Sequence, residues 1–443
     1  MDWSRLLSTQ RLGREEKPAA DVRSEFQRDF DRIVYSSAFR RLQDKTQVFP
    51  LAESDYVRTR LTHSIEVSSV GRSLGRLVGE KVEKIGSCGG VDAREFGNIV
   101  AAACLAHDIG NPPFGHSGEE AMRAWFVEDG EKFLKDISPA QREEFTRFEG
   151  NAQGFRVLTR LQNAVGRGGL QMTYAVLGAY MKYPRIAHIP ELLFSKKVSE
   201  KKFGICIEDE PNFTSIAESI GLARKAKSAW SRHPLAFLME AADDICYRIV
   251  DLEDGQRLGR VPFVEAEELL APIAFDGDDD ASRSSYKLID DEKNKIEYLR
   301  ARAINSLVYA AASIFESNYE AIMKGGFEED LVTKTKFATA LDRIKKTSLE
   351  KVYATPTVIQ IEAAGYEVLG GLLERVVPAI VRGPKGGTAA NRKVLELIPP
   401  QFRKGNTEYE RLLSTTDFVS GMTDTYAVTL YRRLSGIELP RGN

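Results

Sequence analysis

Apolar positions recur along this chain at helical spacing far more often than they alternate. Between residues 22 and 42, Phe26, Phe30, Ile33, Val34 and Phe39 fall among Arg and Asp at the intervals of an amphipathic helix. A break at 50–55 precedes a second predicted helix, from about residue 58 to 82. Residues 84–92, with Gly86, Gly89 and Gly90, read as a loop. Residues 96–107 are almost continuously apolar and predict a buried helix, which Gly110, Pro112 and Pro113 bring to an end. Mostly polar helix is expected over 119–161, and apolar helices over 170–182 and 234–252, with a lysine-rich excursion over 195–227 between them. Further helices follow Gly255, with an acidic loop at 276–280 and a Gly/Pro/Lys loop at 382–388. Period-two alternation is confined to short candidate strands at 46–51 and 203–207. The expected fold class is all-α.

Composition narrows the picture only modestly. A length of 443 residues divides into an N-terminal helical segment (1–57), a helical core (58–260) and a C-terminal helical region packed on it (261–443). Sixty-two basic and 64 acidic residues leave a net charge of −2, so no overall positive field draws the chain to nucleic acid, although a local basic patch stays open. Four cysteines without a CxxC pair argue against a thiolate zinc cage or a disulfide framework, and Cys104 and Cys246 read as small core residues. The charged first 17 residues do not resemble a signal peptide, and no run of about 18 apolar residues predicts a membrane span. The expected location is cytoplasmic.

The chemistry is concentrated in five histidines: His63, His107, His116, His188 and His233. The apolar helix ending at 107 closes on His107-Asp108, two adjacent side chains able to hold a metal. An Asp buried there without a partner would cost several kcal/mol, so a divalent cation or a salt bridge must compensate it. His63 and Asp243, on two other predicted helices, would complete a set of two imidazoles and two carboxylates. Such a set suits Mn, Fe, Co, Ni, Zn or Mg and leaves positions for water and phosphate oxygen. Any one of these residues alone reads better as a satisfied core histidine or a capped acid; the conjunction carries the argument. Arg60, one turn before His63, should face the same pocket and can grip a phosphate with two N–H groups. Tyr247 and Asp251 follow Asp243 at i+4 and i+8 along one helix face, a spacing that a core Tyr and a surface Asp would also give. Asp244 is turned about 100° from Asp243 and is not expected as a ligand. His188 and His233 flank prolines and read as structural. Gly383 to Thr388 lacks the spacing and preceding strand of a phosphate loop, and 276–280 does not fit a calcium loop.

The pattern His63, His107-Asp108, Asp243 resembles the HD superfamily of metal-dependent phosphohydrolases. Longer strings resemble its bacterial dGTP triphosphohydrolase (dGTPase) branch: Thr59-Arg60-Leu61-Thr62-His63-Ser64, the run from His107 through Asp108-Ile109-Gly110-Asn111-Pro112-Pro113-Phe114-Gly115 to His116, and Ala242-Asp243-Asp244-Ile245-Cys246-Tyr247. Gly421-Met422-Thr423-Asp424 fits the same branch, so the resemblance spans nearly the whole chain. It implies that His63, His107, Asp108 and Asp243 hold one divalent metal and that His116 and Glu119 form the catalytic pair. It further implies that Gln47 bonds the deoxyribose, that Tyr247 and Asp251 meet C2′ and the 3′-OH, and that Lys182 and Tyr183 contact phosphates; a solvated helix-end lysine is the competing reading of Lys182. The implied reaction is attack of water on the α-phosphorus of a deoxynucleoside triphosphate, dGTP above all, with release of triphosphate. The alternatives are an HD phosphohydrolase of other nucleotide specificity and a regulatory member responsive to single-stranded DNA or to an allosteric dNTP. A homo-oligomer, a hexamer in the family, and no membrane partner are also implied.

Overall fold

Many helices in this chain start where a hydroxyl or carboxylate accepts from the free N–H groups of the first turn. Ser24 and Thr59 each form a capping box, with Gln27 and Thr62, and Asp92 accepts from the backbone N–H of Arg94. The computed structural model describes residues 1–14, 21–47, 58–86, 88, 90–163, 167–190, 197–277 and 280–439. Twenty α-helices run through these residues, with one two-stranded antiparallel sheet, Arg224–Ala226 against Ala229–Trp230. The fold is all-α, and none of the described helices is long and apolar enough to cross a membrane.

Capping chemistry also explains where the helices depart from the hydrophobic pattern. The expected helix over 22–42 is two, Glu25–Val34 and Ser37–Arg41, because Ser36 turns its side chain onto the N–H of Phe39 and starts a new first turn. The expected polar helix over 119–161 is Gly115–Val127, Pro139–Thr146 and Gly150–Arg156, the second opened by a Ser138 cap and Pro139. Thr173 caps Tyr174–Tyr180, shorter than the expected 170–182. Helix Pro356–Gly386 runs into the expected loop at 382–388 and is interrupted there at Gly383, whose φ is 63°. Of the two expected strands, 203–207 supplies one bridge, Ile205 with Ile186, and 46–51 another, Thr46 with Thr59. Residues 48–51 of that stretch and the break at 50–55 lie outside the described residues.

Two hydrophobic cores result. The larger joins helices Arg60–Lys84, Ala93–Ala106, Tyr174–Tyr180, Ala236–Arg257, Phe263–Ala274 and Glu292–Ser317. The second joins Gly115–Val127 to the C-terminal helices Pro356–Gly386, Glu408–Ser420 and Asp424–Leu434. Helices Arg60–Lys84 and Ala93–Ala106 cross at very short range. Gly71, Gly75 and Gly79 repeat every four residues on the contact face, and a Cβ at Gly75 would lie 2.6 Å from the carbonyl oxygen of Phe96. That closeness sets His63 and His107 beside each other. Gly75→Ala is expected to cost about 1–3 kcal/mol by forcing the helices apart, read by urea unfolding; unchanged stability would show that the close approach is not required.

Candidate active site

His63 lies in the first turn of helix Arg60–Lys84, His107 caps the C-terminus of Ala93–Ala106, and Asp243 sits two turns into Ala236–Arg257. Their ligand-capable atoms lie within 4.8 Å of one another. Asp243 Oδ1 is 3.2 Å from His63 Nε2 and 3.5 Å from His107 Nε2. His107 Nδ1 is 2.6 Å from the carbonyl oxygen of Cys104. A carbonyl only accepts, so Nδ1 carries a proton, and Nε2 is the ring atom turned toward the cluster. That Nε2 is buried and has no hydrogen-bond partner. An orphaned imidazole nitrogen facing a second imidazole and a carboxylate is what a divalent cation requires, so the donor set fits a metal.

Asp108 lies outside that group of three, with Oδ1 3.5 Å from His107 Nε2. Its Oδ2 accepts from Arg60 Nη1 at 2.6 Å and its Oδ1 from Asn111 Nδ2 at 2.6 Å. Burial disfavours its charge, but His107, Arg60 and His63 outweigh burial and hold the carboxyl far below the usual range. Asp243 shows the same contest: His107 and His63 overcome burial and bring it down to about 2. The counterpart is His63, where burial opposes the proton but Asp243 and Asp108 prevail and raise its affinity. Arg60 is buried and, while bonded to Asp108, leaves Nε without a partner.

The catalytic pair suggested by the sequence is held from the second core. Phe114 adopts φ 62°, rare for a residue with a side chain, and from that left-handed turn helix Gly115–Val127 departs. His116 projects into solvent with its side chain 77% exposed, and its Nδ1 is 3.0 Å from Glu119 Oε2. Glu119 is buried, and its Oε1 accepts the N–H of Gly150 at 2.6 Å. Burial would neutralise Glu119, but His116, Lys202 and Arg123 keep it ionised. Arg123 and Lys202 also hold Glu149, at 3.0 and 2.9 Å. Arg123 was within reach of sequence reasoning, four residues after Glu119. Lys202 and Glu149 were not, because no local spacing ties them to it.

Along helix Ala236–Arg257, Tyr247 and Asp251 follow Asp243. The ring of Tyr247 stacks on Tyr353, with centroids 5.8 Å apart and planes 9° from parallel, and the Tyr353 hydroxyl donates to Asp251. Burial pushes Asp251 up to about 6 despite that bond. Tyr353, on a turn 102 residues away, carried no motif. Gln47 turns a buried Oε1 that has no partner. Lys182 Nζ lies 3.3 Å from Glu240, which Arg232 also binds, and 5.8 Å over the buried ring of Tyr183. Asp244 is pushed up to about 7 by burial, with Lys182 opposing and Glu240 and Asp243 reinforcing. His233 is buried between the Leu6 carbonyl and the Leu235 N–H, and His188 pairs with Glu143.

Comparisons with known proteins agree with this geometry. The HD domain family matches residues 60–163, and the phosphohydrolase-associated domain matches 331–433. A deoxyguanosinetriphosphate triphosphohydrolase-like protein of Synechocystis is 44% identical over 99% of this chain and 100% of its own length. The chain belongs to the dGTPase family of HD-domain proteins. A like-named protein of Pseudomonas aeruginosa is 41% identical over 99% of this chain and 100% of its own. The deoxyguanosinetriphosphate triphosphohydrolase of Salmonella arizonae is 33% identical over 93% and 94%. Membership makes the chain a hydrolase of a metal-dependent phosphohydrolase family.

A cation that binds the folded site raises stability by mass action, by about 2.7 kcal/mol at a hundred times its Kd. Mn(II) is therefore expected to raise the melting temperature of the wild type, and EDTA to reverse the rise. Asp243→Asn should lose most of that shift while keeping its helical circular dichroism; an undiminished shift would move the metal elsewhere.

Proposed function

We propose that this chain cleaves deoxynucleoside triphosphates at the α-phosphorus, releasing deoxynucleoside and inorganic triphosphate, with dGTP favoured. The observation that carries this reading is that Asp243, Tyr247 and Asp251 share one helix face, each a turn and about 6 Å beyond the last. A substrate with its α-phosphate at the Asp243 end would then set its sugar between Tyr247 and Asp251. His63, His107 and Asp243, with Asp108 beside them, would hold one divalent cation. When bound, that cation supplies Lewis acidity to a phosphoryl oxygen and lowers the pKa of water.

The chain's own groups supply the rest. Asp251 accepts from the 3′-OH, and Gln47 Oε1 takes a second sugar contact. The Tyr247 ring, backed by Tyr353, lies flat against C2′ and leaves no room for a 2′-OH. Lys182, with Tyr183 beneath it, pairs with triphosphate charge, and the free Nε of Arg60 turns to a phosphate oxygen. Glu119 fixes Nδ1 of His116, so its exposed Nε2 moves the proton of the attacking water or of the leaving 5′-oxygen. The preference for dGTP follows the activity for which the Salmonella relative is named.

Product analysis with four dNTPs and four rNTPs, in Mn(II) or Mg(II), tests the reading. Triphosphate from dGTP ahead of the other dNTPs and none from rNTPs is expected; monophosphate and pyrophosphate instead would overturn it. Asp251 adds a pH signature. Its raised pKa leaves it neutral below about 6, so its acceptor strength is lost as pH falls through that value. Wild-type KM should rise from pH 7 to pH 5, up to about tenfold per unit at the acid end. The KM of Asp251→Asn should be higher at pH 7 and flat over that range; parallel profiles would remove Asp251 from the sugar site.

A further inference from the structure

The string Gly421-Met422-Thr423-Asp424 has no place in the chemistry above, and its carboxylate is one of the most buried charges in the chain. Asp424 opens helix Asp424–Leu434 and is 1% exposed. No arginine or lysine forms an ion pair with it among the described residues. Its Oδ1 instead accepts the backbone N–H of Phe114 at 3.0 Å. Its Oδ2 accepts the backbone N–H of Thr46 at 3.0 Å and the Thr46 hydroxyl at 2.7 Å. These three donors sit at two working edges of the site. Phe114 is the left-handed residue from which the His116–Glu119 helix departs. Thr46 precedes Gln47 and bridges Thr59, the cap of the His63 helix.

A second rung runs beside the first. Lys45, also buried, donates from Nζ to the carbonyl oxygens of Asn111, in the turn after Asp108, and of Ser420, at the end of helix Glu408–Ser420. The Lys45 carbonyl in turn accepts from Arg60 N–H at 3.1 Å. The C-terminal helices thus grip three pieces of the site through polar atoms: the 45–47 segment, the turn after His107-Asp108, and the start of the His116 helix.

We propose that Asp424 is a positioning residue for catalysis, one carboxylate that fixes the departure angle of the His116–Glu119 helix against the 45–47 edge of the pocket. A left-handed Phe costs about 1–2 kcal/mol relative to a right-handed turn, so Phe114 keeps φ 62° only while something holds its N–H. Accepting hydrogen bonds from backbone N–H groups with an ionised carboxylate is the strong form of that hold. The metal-competent His63, His107 and Asp243 belong to the other core and do not touch Asp424. The role rests on the proposed reaction, since it is the proton-handling pair that Asp424 orients.

Asp424→Asn tests it, because the carboxamide keeps the shape but turns an NH2 toward a backbone donor. The expected result is a kcat at least tenfold lower on dGTP, with Mn(II) affinity within twofold of wild type and the pH–rate profile displaced. Amide exchange at Thr46 and Phe114 should accelerate at least tenfold. Thr425→Val, the exposed neighbour bonded to Asp44, should leave kcat unchanged. A kcat within twofold of wild type, or a loss that tracks Mn(II) affinity, would overturn the proposal. Should Asp424→Asn fail to fold, Thr46→Val removes one of the three donors, and a several-fold loss of kcat at unchanged Mn(II) affinity is expected; unchanged kcat overturns the role. A wild type that releases no triphosphate from any dNTP overturns the proposed reaction instead, and the exchange rates still decide whether Asp424 holds Phe114.

Discussion

His63, His107, Asp108 and Asp243 meet where three stretches of chain, far apart in sequence, pack their helices together, with His63 and Asp108 buried and Asp243 only partly exposed. Burying two carboxylates and two imidazoles in one place is costly unless a positive charge sits among them. Arg60 and Asn111 answer for the two oxygens of Asp108, and a proton on His63 answers in part for Asp243. The Nε2 of His107 has no such partner. A divalent cation would meet the demands of His107 and Asp243 together. It must displace the His63 proton to do so, which makes its binding weaken as pH falls.

That requirement organises the larger architecture. The residues that could hold a cation come from helices of the first core, which the glycine face at Gly71, Gly75 and Gly79 brings into close register. The proposed proton-handling pair, His116 and Glu119, comes from a helix of the second core, whose partners are C-terminal. A site divided between two cores needs polar ties to keep its halves in register, because apolar packing alone tolerates small slides. Lys45 and Asp424 supply such ties, each buried and each bonded to main-chain atoms on both sides. This arrangement gives the phosphohydrolase-associated segment, 331–433, a part in setting the HD site.

Much of this was legible in the residues. The apolar run ending at His107-Asp108 announced a buried helix with polar residues at its end, and the i+4, i+8 series put Asp243, Tyr247 and Asp251 on one helix, as the structure has them. The all-α class followed from periodicity. What escaped was set by side-chain hydrogen bonds or by distant chain. Ser36 splits a helix that the hydrophobic stripe ran straight through. Tyr353 reaches Tyr247 and Asp251 from an element with no motif, and Lys202 reaches Glu119 from a lysine-rich stretch in which no single lysine stands out. The string ending in Asp424 was visible as a resemblance, but its partners Thr46 and Phe114 lie more than 300 positions away, where no spacing rule reaches.

Anomalous diffraction from crystals of the wild type grown with Mn(II) shows whether the three helices converge on one cation. A single strong peak is expected about 2.0–2.3 Å from His63 Nε2, His107 Nε2 and an Asp243 oxygen. A peak that excludes His107, or no peak at a site where these side chains remain clustered, would contradict the account.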